Sequence, residues 1–309
     1  MALLFIAPDL EIPPYVDQLQ ALDPELDIRI WPEIGDADDI ELALTWNHPL
    51  GELRNFKNLK CIASFGAGVD HILRDPNLPQ GVQVTRVVQS SMPQFMSEFV
   101  ILSALNYCRQ FDIYKNDKVK KRWKPRIPLL ARDICISIMG MGQLGADAAT
   151  KLVQLGFTVS GWSRTPKTIP GVLSFAGDDA LADFLSQANI LICLLPLTSA
   201  TKGILNRNTF EKLPPGAYLI NVARGEHLVE KDFLDALECG HLSGACLDVF
   251  NIEPLPEDHP FWDHPNIMIT PHISSLTDPK AVMPQILDNY HRIISGKPLL
   301  HVVDIERGY

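Results

Sequence analysis

The chain has no surplus of positive charge. Its 309 residues include 37 acidic and 27 basic side chains, a net charge of −10 with a pI near 5.3. A surface of that sign repels phosphate backbones and anionic headgroups, which argues against nucleic acid or a membrane surface as the main partner. No apolar run approaches the length needed to cross a bilayer. The opening MALLFIAPDL has no basic stretch and reads as a first strand rather than a signal peptide. The six cysteines, at 61, 108, 135, 193, 239 and 246, form no C-x-x-C pair. They fit reduced thiols in a cytoplasmic protein, not disulfides or a metal site. Repeats and low-complexity tracts are absent too. What remains is a chain 46% hydrophobic, long enough for two domains with sizeable cores.

Residues 133–145, DICISIMGMGQLG, organise the rest. The apolar run from Ile134 to Met139 reads as a buried parallel strand. Gly140, Gly142 and Gly145 follow in the spacing G-x-G-x-x-G, and Ala146 to Leu155 reads as a helix. Gly140 suits a tight turn, Gly142 lets a pyrophosphate approach the backbone, and Gly145 lets helix and strand pack closely. The helix N-terminus offers unpaired N–H groups to phosphates. Gly140, Gly142, Gln143, Leu144 and Gly145 are therefore candidate cofactor contacts; a glycine turn with no ligand is the plain alternative.

Residues before this loop read as a small α/β unit. Its fourth strand, LKCIASF, runs into Gly66-Ala67-Gly68-Val69-Asp70, either an anion nest or an ordinary strand-to-helix turn. Pro93 to Gln110 reads as a long helix crossing between domains, and Lys115 to Lys124 as a basic connecting segment that holds Trp123. After the glycine loop, strands and helices alternate as in a doubly wound parallel sheet. A helix from Ala281 to Ser295 returns to the first domain. The expected division is a dinucleotide domain over 93–274, inserted in a substrate domain made of 1–92 and 275–309.

The second strand of the dinucleotide domain ends in Ser163-Arg164-Thr165, with Lys167 nearby and no carboxylate to receive an adenosine ribose hydroxyl. A serine does not repel a 2′-phosphate, and Arg164 can bind one through charge-assisted bonds, so NADP(H) is expected over NAD(H). Leu195-Pro196 and Ala223 end further strands at the ligand edge of the sheet. Arg224, Glu253 and His272 each sit at or just beyond a strand end. An arginine can fork onto the carboxylate and carbonyl of a 2-oxo acid, a histidine can protonate the new alkoxide, and a glutamate can hold the second ring nitrogen. Each also has an ordinary alternative: a turn arginine, a loop carboxylate, a capping or core histidine.

GMGQLG, NVARG at 221–225, LDVF at 247–250 with EPLP at 253–256, TPHIS at 270–274 and FGAGVD at 65–70 together resemble the D-isomer-specific 2-hydroxyacid dehydrogenases over nearly the whole chain. WSRT at 162–165, LLPLT at 194–198 and the ending RGY at 307–309 are most similar to the glyoxylate/hydroxypyruvate reductase A branch of that family. The resemblance implies two Rossmann- or flavodoxin-like domains that close to exclude water, and NADPH-dependent reduction of a small 2-oxo acid such as glyoxylate or hydroxypyruvate. It implies that Arg224 binds substrate, Glu253 partners the histidine and His272 donates the proton. It implies that Asp248 holds the nicotinamide carboxamide, a strand-end cap being the alternative, and that the Ala67 and Gly68 amides bind the substrate carboxylate. Trp46 becomes a candidate pocket wall or core residue, and Trp123 a candidate to reach a partner subunit's active site. A homodimer with the long helix at its interface is implied as well. The chain departs from the family pattern at Ser163, where an acidic residue is frequent, and at Ser97, where alanine is common; the second change reads as neutral. The rival expectations are an NAD-linked dehydrogenase for a bulkier 2-oxo acid and a non-catalytic nucleotide sensor on the same fold.

Overall fold

The computed structural model describes residues 1–89 and 91–305. The ending Arg307-Gly308-Tyr309 lies outside the described residues. The chain divides into two compact units, Met1–Ser90 with Thr277–Tyr309, and Ser91–Leu276.

In the first unit the order is β1 (Ala2–Ile6), α1 (Pro13–Leu22), β2 (Ile28–Ile30), β3 (Ile40–Thr45), β4 (Cys61–Ser64), α2 (Asp70–Leu73) and β5 (Gln83–Thr85). Among the described residues these strands form one parallel sheet in the order β2-β1-β3-β4-β5. β1 is wholly buried, AlaLeuLeuPheIle, because both faces of a parallel sheet are covered. Leu4, Ile6, Ala43 and Ile62 meet Leu53, Phe56, Ile72 and Val84 in one apolar cluster.

The second unit begins with α3 (Met92–Arg109) and α4 (Phe111–Val119). Gln110 between them adopts a left-handed conformation, φ 57°, which ends one helix and starts the next. The basic segment expected to be a plain connector is thus helical as far as Val119. Then follow β6 (Cys135–Met139), α5 (Gln143–Gln154), β7 (Thr158–Ser163), β8 (Val172–Ala176), α6 (Leu181–Leu185), β9 (Ile190–Cys193), α7 (Arg207–Phe210), β10 (Ala217–Asn221), α8 (Glu230–Glu238), β11 (Leu242–Leu247) and β12 (Ile267–Ile269). The last helix, α9 (Pro279–Ile294), belongs to the first unit and packs on α1.

The strands of the second unit run parallel in the order β12-β11-β10-β9-β6-β7-β8. The order reverses between β6 and β9, the position where open α/β sheets bind ligands beyond their carboxyl ends. Alternation along each strand sorts the core into two layers. Ile136, Ile138, Ile190 and Ile192 face α3 and α5, with Met96, Val100, Ala148 and Leu152. Met139, Leu191, Cys193 and Leu219 face the other way, with Phe184, Phe210 and Phe233 from α6, α7 and α8.

Ser97 has a specific place between the two helices on the first face. It is fully buried in α3, and its hydroxyl meets the Pro93 carbonyl at 2.7 Å and the Asp147 carboxylate of α5. Lys151 pairs with the same carboxylate at 2.6 Å. A serine in place of alanine therefore adds a polar tie between α3 and the dinucleotide helix and is not a neutral change.

Candidate active site

The glycine loop is tightly packed. Gly140 leaves β6 at φ +104°, a region side chains avoid, and a Cβ there would lie 2.5 Å from the Leu194 carbonyl of the strand across the reversal point. A Cβ on Gly145 would lie 2.0 Å from the Gly140 carbonyl, so only glycine lets α5 come this close to the loop. Gly142 is different. It caps α5 in an extended conformation, and nothing lies within 4 Å of its Cβ position. Two glycines are needed by the fold and the third leaves open space at a helix N-terminus, an arrangement that fits a pyrophosphate. Gln143 is exposed and Leu144 half-buried at the same helix start.

The Ser163 hydroxyl at the end of β7 donates to the Thr165 carbonyl at 2.8 Å, and Arg164, Thr165 and Lys167 lie on the exposed rim that follows. Leu195 is buried beyond β9. The neighbouring Pro196 carbonyl accepts from the Thr201 hydroxyl at 2.7 Å.

Three further loops leave the carboxyl ends of β10, β11 and β12. After β10, the Arg224 guanidinium donates to the Ala223 carbonyl at 2.7 Å. The Arg224 amide meets His227 Nδ1 at 3.2 Å, and His227 Nε2 lies 3.4 Å from the Pro196 carbonyl. His227, wholly buried, thus ties the arginine loop to the loop after β9; no spacing in the sequence singled it out. After β11, Glu253 accepts from the Phe250 amide through Oε1 at 2.9 Å. Its Oε2 lies 2.8 Å from His272 Nδ1 in the loop after β12. Burial pushes the Glu253 carboxyl up, but the bond and charge of His272, the Phe250 amide and the charge of Arg224 outweigh it and hold the carboxyl below its usual range. The glutamate is an anion at neutral pH, and the three residues lie within electrostatic reach of one another. Nδ1 of the His272 ring is held by Glu253, and that contact fixes the orientation of the ring.

His272 has φ 53°, unusual for a residue with a side chain. Asp248, at the end of β11, holds that turn. Its carboxylate is fully buried and accepts from the Thr270 hydroxyl at 2.6 Å and from the Ile273 and Ser274 amides, each at 2.8 Å. Its carbonyl accepts from the His272 amide at 2.9 Å. The strand-end cap considered for Asp248 in the sequence is therefore present, and it organises the histidine loop.

In the first unit, Ala67 and Gly68 follow β4 in a turn. Among the described residues their amides donate to no protein acceptor. Trp46 is half-buried, its ring 4.5 Å from that of His71. Trp123 lies far from any core, 98% exposed. Among the described residues no group of His, Cys, Asp or Glu is arranged to hold a metal ion, and no helix is long and apolar enough to cross a membrane.

A parallel sheet with a phosphate-ready glycine loop and a histidine–carboxylate pair at its carboxyl edge defines a dinucleotide-dependent oxidoreductase. Residues 101–274 match the family model described as the NAD binding domain of the D-isomer specific 2-hydroxyacid dehydrogenases, and the chain belongs to that family. It is 43% identical to the glyoxylate/hydroxypyruvate reductase A of Photorhabdus laumondii, with 100% of both chains covered. Among solved structures it is similar to a D-isomer specific 2-hydroxyacid dehydrogenase from Xanthobacter autotrophicus in complex with NADPH and MES, at TM-score 0.91 and 40% identity over 100% of this chain and 99% of that one. It is equally similar in shape to an NADPH-dependent glyoxylate/hydroxypyruvate reductase from Sinorhizobium meliloti in complex with NADP and sulfate, at TM-score 0.91 and 36% identity, covering 100% and 99%.

The glycine loop yields a contrast that thermal melts and NADPH titrations can read. Gly145→Ala should destabilise the second unit by about 3 kcal/mol, since neither clashing group is a movable side chain. Gly142→Ala should leave the melting temperature near wild type yet weaken NADPH binding. A Gly142→Ala protein with unchanged NADPH affinity would remove that glycine from the phosphate site.

Proposed function

We propose that this 2-hydroxyacid dehydrogenase reduces small 2-oxo acids, glyoxylate and hydroxypyruvate, with NADPH, and that His272 is the proton donor. The observation that carries the reading is the 2.8 Å contact of His272 with an ionised Glu253 in the field of Arg224. When bound, the dinucleotide supplies the hydride. Gly140, Gly142, Gln143, Leu144, Gly145, Leu195, Pro196 and Ala223 are the proposed contacts for it. Arg224 holds the substrate carboxylate and carbonyl oxygen and lowers the cost of negative charge growing on that oxygen. His272 delivers the proton from Nε2, while Glu253 orients the ring and stabilises the imidazolium. In the first unit, the Ala67 and Gly68 amides are proposed as further donors to the carboxylate, and Trp46 as a wall for the substrate side chain. Asp248 keeps its proposed contact with the nicotinamide amide in addition to its hold on the histidine loop, since among the described residues Oδ2 accepts a single protein donor. The first unit is read as the substrate domain and the second as the dinucleotide domain.

NADP(H) is the proposed cofactor because Ser163, Arg164, Thr165 and Lys167 put no carboxylate where a 2′-phosphate would sit, and the two solved relatives above hold NADPH or NADP. Phe95, Leu102, Leu105, Phe111 and Ile113 of α3 and α4 leave apolar side chains exposed, as do Trp123 and Ile127 beyond them. This supports a homodimer built on α3, with Trp123 directed to the partner. Six free cysteines, four of them buried, suit a reducing cytoplasm.

His272→Ala should bind NADPH normally and lose about 10²–10⁴-fold in kcat; an unchanged kcat would remove His272 from the mechanism. Glu253→Gln should lower kcat while NADPH binding stays at the wild-type value, because the His272 ring loses the carboxylate that orients it. The folded Glu253 titrates below its unfolded value, so its ionisation stabilises the protein at neutral pH, and this contribution fades as pH falls below about 4.3. In a panel of glyoxylate, pyruvate, hydroxypyruvate and 2-oxo acids of larger side chain with each cofactor, NADPH should give the higher kcat/KM, and Arg164→Ala should erase most of the preference. A higher kcat/KM with NADH, or a best substrate bulkier than hydroxypyruvate, would favour the NAD-linked alternative. Light scattering should return twice the chain mass, and a monomer at micromolar concentration would sink the dimer.

A further inference from the structure

The turn that carries the Ala67 and Gly68 amides is held by a closed hydrogen-bond system around one hydroxyl. Ser64, the last residue of β4, is fully buried. Its Oγ donates to the Gly68 carbonyl at 2.7 Å, accepts from the Gly66 amide at 3.1 Å and lies 3.0 Å from His71 Nε2 on α2. A hydroxyl has one proton and two acceptor lone pairs. With the proton spent on Gly68 and one lone pair on Gly66, the contact with His71 must be an Nε2–H donating to Ser64. The tautomer of His71 is fixed by this count. Trp46 backs the imidazole at 4.5 Å between ring centroids, and its Cζ3 lies 3.0 Å from the Cβ position of Gly66, so the indole closes over the start of the turn. Both ends of the Gly66–Gly68 turn are thus tied to one oxygen, and that oxygen is saturated by a histidine.

We propose that Ser64 and His71 are positioning residues for the substrate carboxylate: they hold the turn in a shape that leaves the Ala67 and Gly68 amides, among the described residues, without a protein acceptor. The proposal rests on the reading of those amides as carboxylate donors. Its physical content is preorganisation. N–H groups left without an acceptor are costly, and a flexible glycine turn relaxes toward other shapes when nothing holds it. Fixing it in advance strengthens binding of the carboxylate in ground and transition states alike, which places the effect in KM and not in kcat.

His71→Phe keeps a ring against Trp46 and removes the donor; His71→Gln removes the ring and keeps an N–H near the position of Nε2. With NADPH saturating, His71→Phe should raise KM for glyoxylate about tenfold, leave kcat unchanged and leave the Kd for NADPH at the wild-type value. His71→Gln should return KM toward wild type. Ser64→Ala should raise KM at least as much, and the double variant Ser64→Ala with His71→Phe should be no worse than Ser64→Ala alone, because both act through one hydroxyl. Ala67→Pro deletes one of the amides after a glycine that tolerates the ring. If Ala67→Pro raises KM while His71→Phe and Ser64→Ala leave it unchanged, the amides bind the carboxylate and the positioning role is wrong. If folded Ala67→Pro keeps the wild-type KM, the carboxylate reading fails and the proposal falls with it. Equal losses in His71→Phe and His71→Gln, or additive losses in the double variant, would also overturn it.

Discussion

A buried carboxylate tied to the loop that follows β12 is the constraint on which the histidine–glutamate pair depends. Asp248 is removed from water at the end of β11, and an ionised group there is tolerable only when its oxygens are occupied. Thr270, Ile273 and Ser274 occupy them, and those residues flank His272. The histidine is therefore held in a left-handed backbone conformation that a bulky side chain does not choose for itself. The turn aims its ring at Glu253, which is held in turn by the Phe250 amide. The geometry of the site passes from strand to buried aspartate, to loop, to histidine. None of these links requires a ligand to be in place.

The glycine loop obeys the opposite constraint. There the side chains are missing because backbones must touch: Gly140 against Leu194, Gly145 against Gly140. Beside this close packing of β6, β9 and α5, Gly142 at the N-terminus of α5 has open space around its Cβ position. The first unit solves a related problem with a hydroxyl. Ser64 ties both ends of a glycine turn so that its remaining amides stay uncommitted. In each case the turn is shaped by its own backbone and by a few fixed contacts, the close approaches of Gly140 and Gly145 in one and the Ser64 hydroxyl in the other.

Local patterns carried much of this in the sequence. The β6–loop–α5 unit is legible because the strand, the glycines and the helix follow one another within twenty residues and each has its own signature. Arg224, Glu253 and His272 were legible as strand-end residues once the alternation of strands and helices had been followed through, and their motifs carried the family resemblance. What the sequence hid depends on distant partners. Ser97 meets Asp147 across fifty positions, and nothing in either helix announces the pair. The Ser64–His71 contact needs the turn between them to be folded already. Edge strand β8 was not foreseen, since Val172 to Ala176 mixes exposed Leu173 and Ser174 with half-buried neighbours and lacks a clean two-residue period. Helix α4 is weakly amphipathic and rich in lysine, and it became visible only as the continuation of α3 through Gln110.

The return of the chain to its first unit bears on how it leaves the ribosome. The segment 91–276 is contiguous and holds its sheet, its helices and both of its apolar layers within itself. The first unit is not self-sufficient in this way. Its five strands are made by residue 85, but α9, which packs on α1, is made last. Val303 closes its lower cluster, and the Tyr290 hydroxyl bonds the carbonyl of Met1. During synthesis α1 must therefore wait for α9, its packing partner, while residues 91–276 emerge and fold between the two parts of the first unit. The portion of the chain that is born first is finished last, and the interval in which it is open to a chaperone or to aggregation is set by the length of the inserted unit.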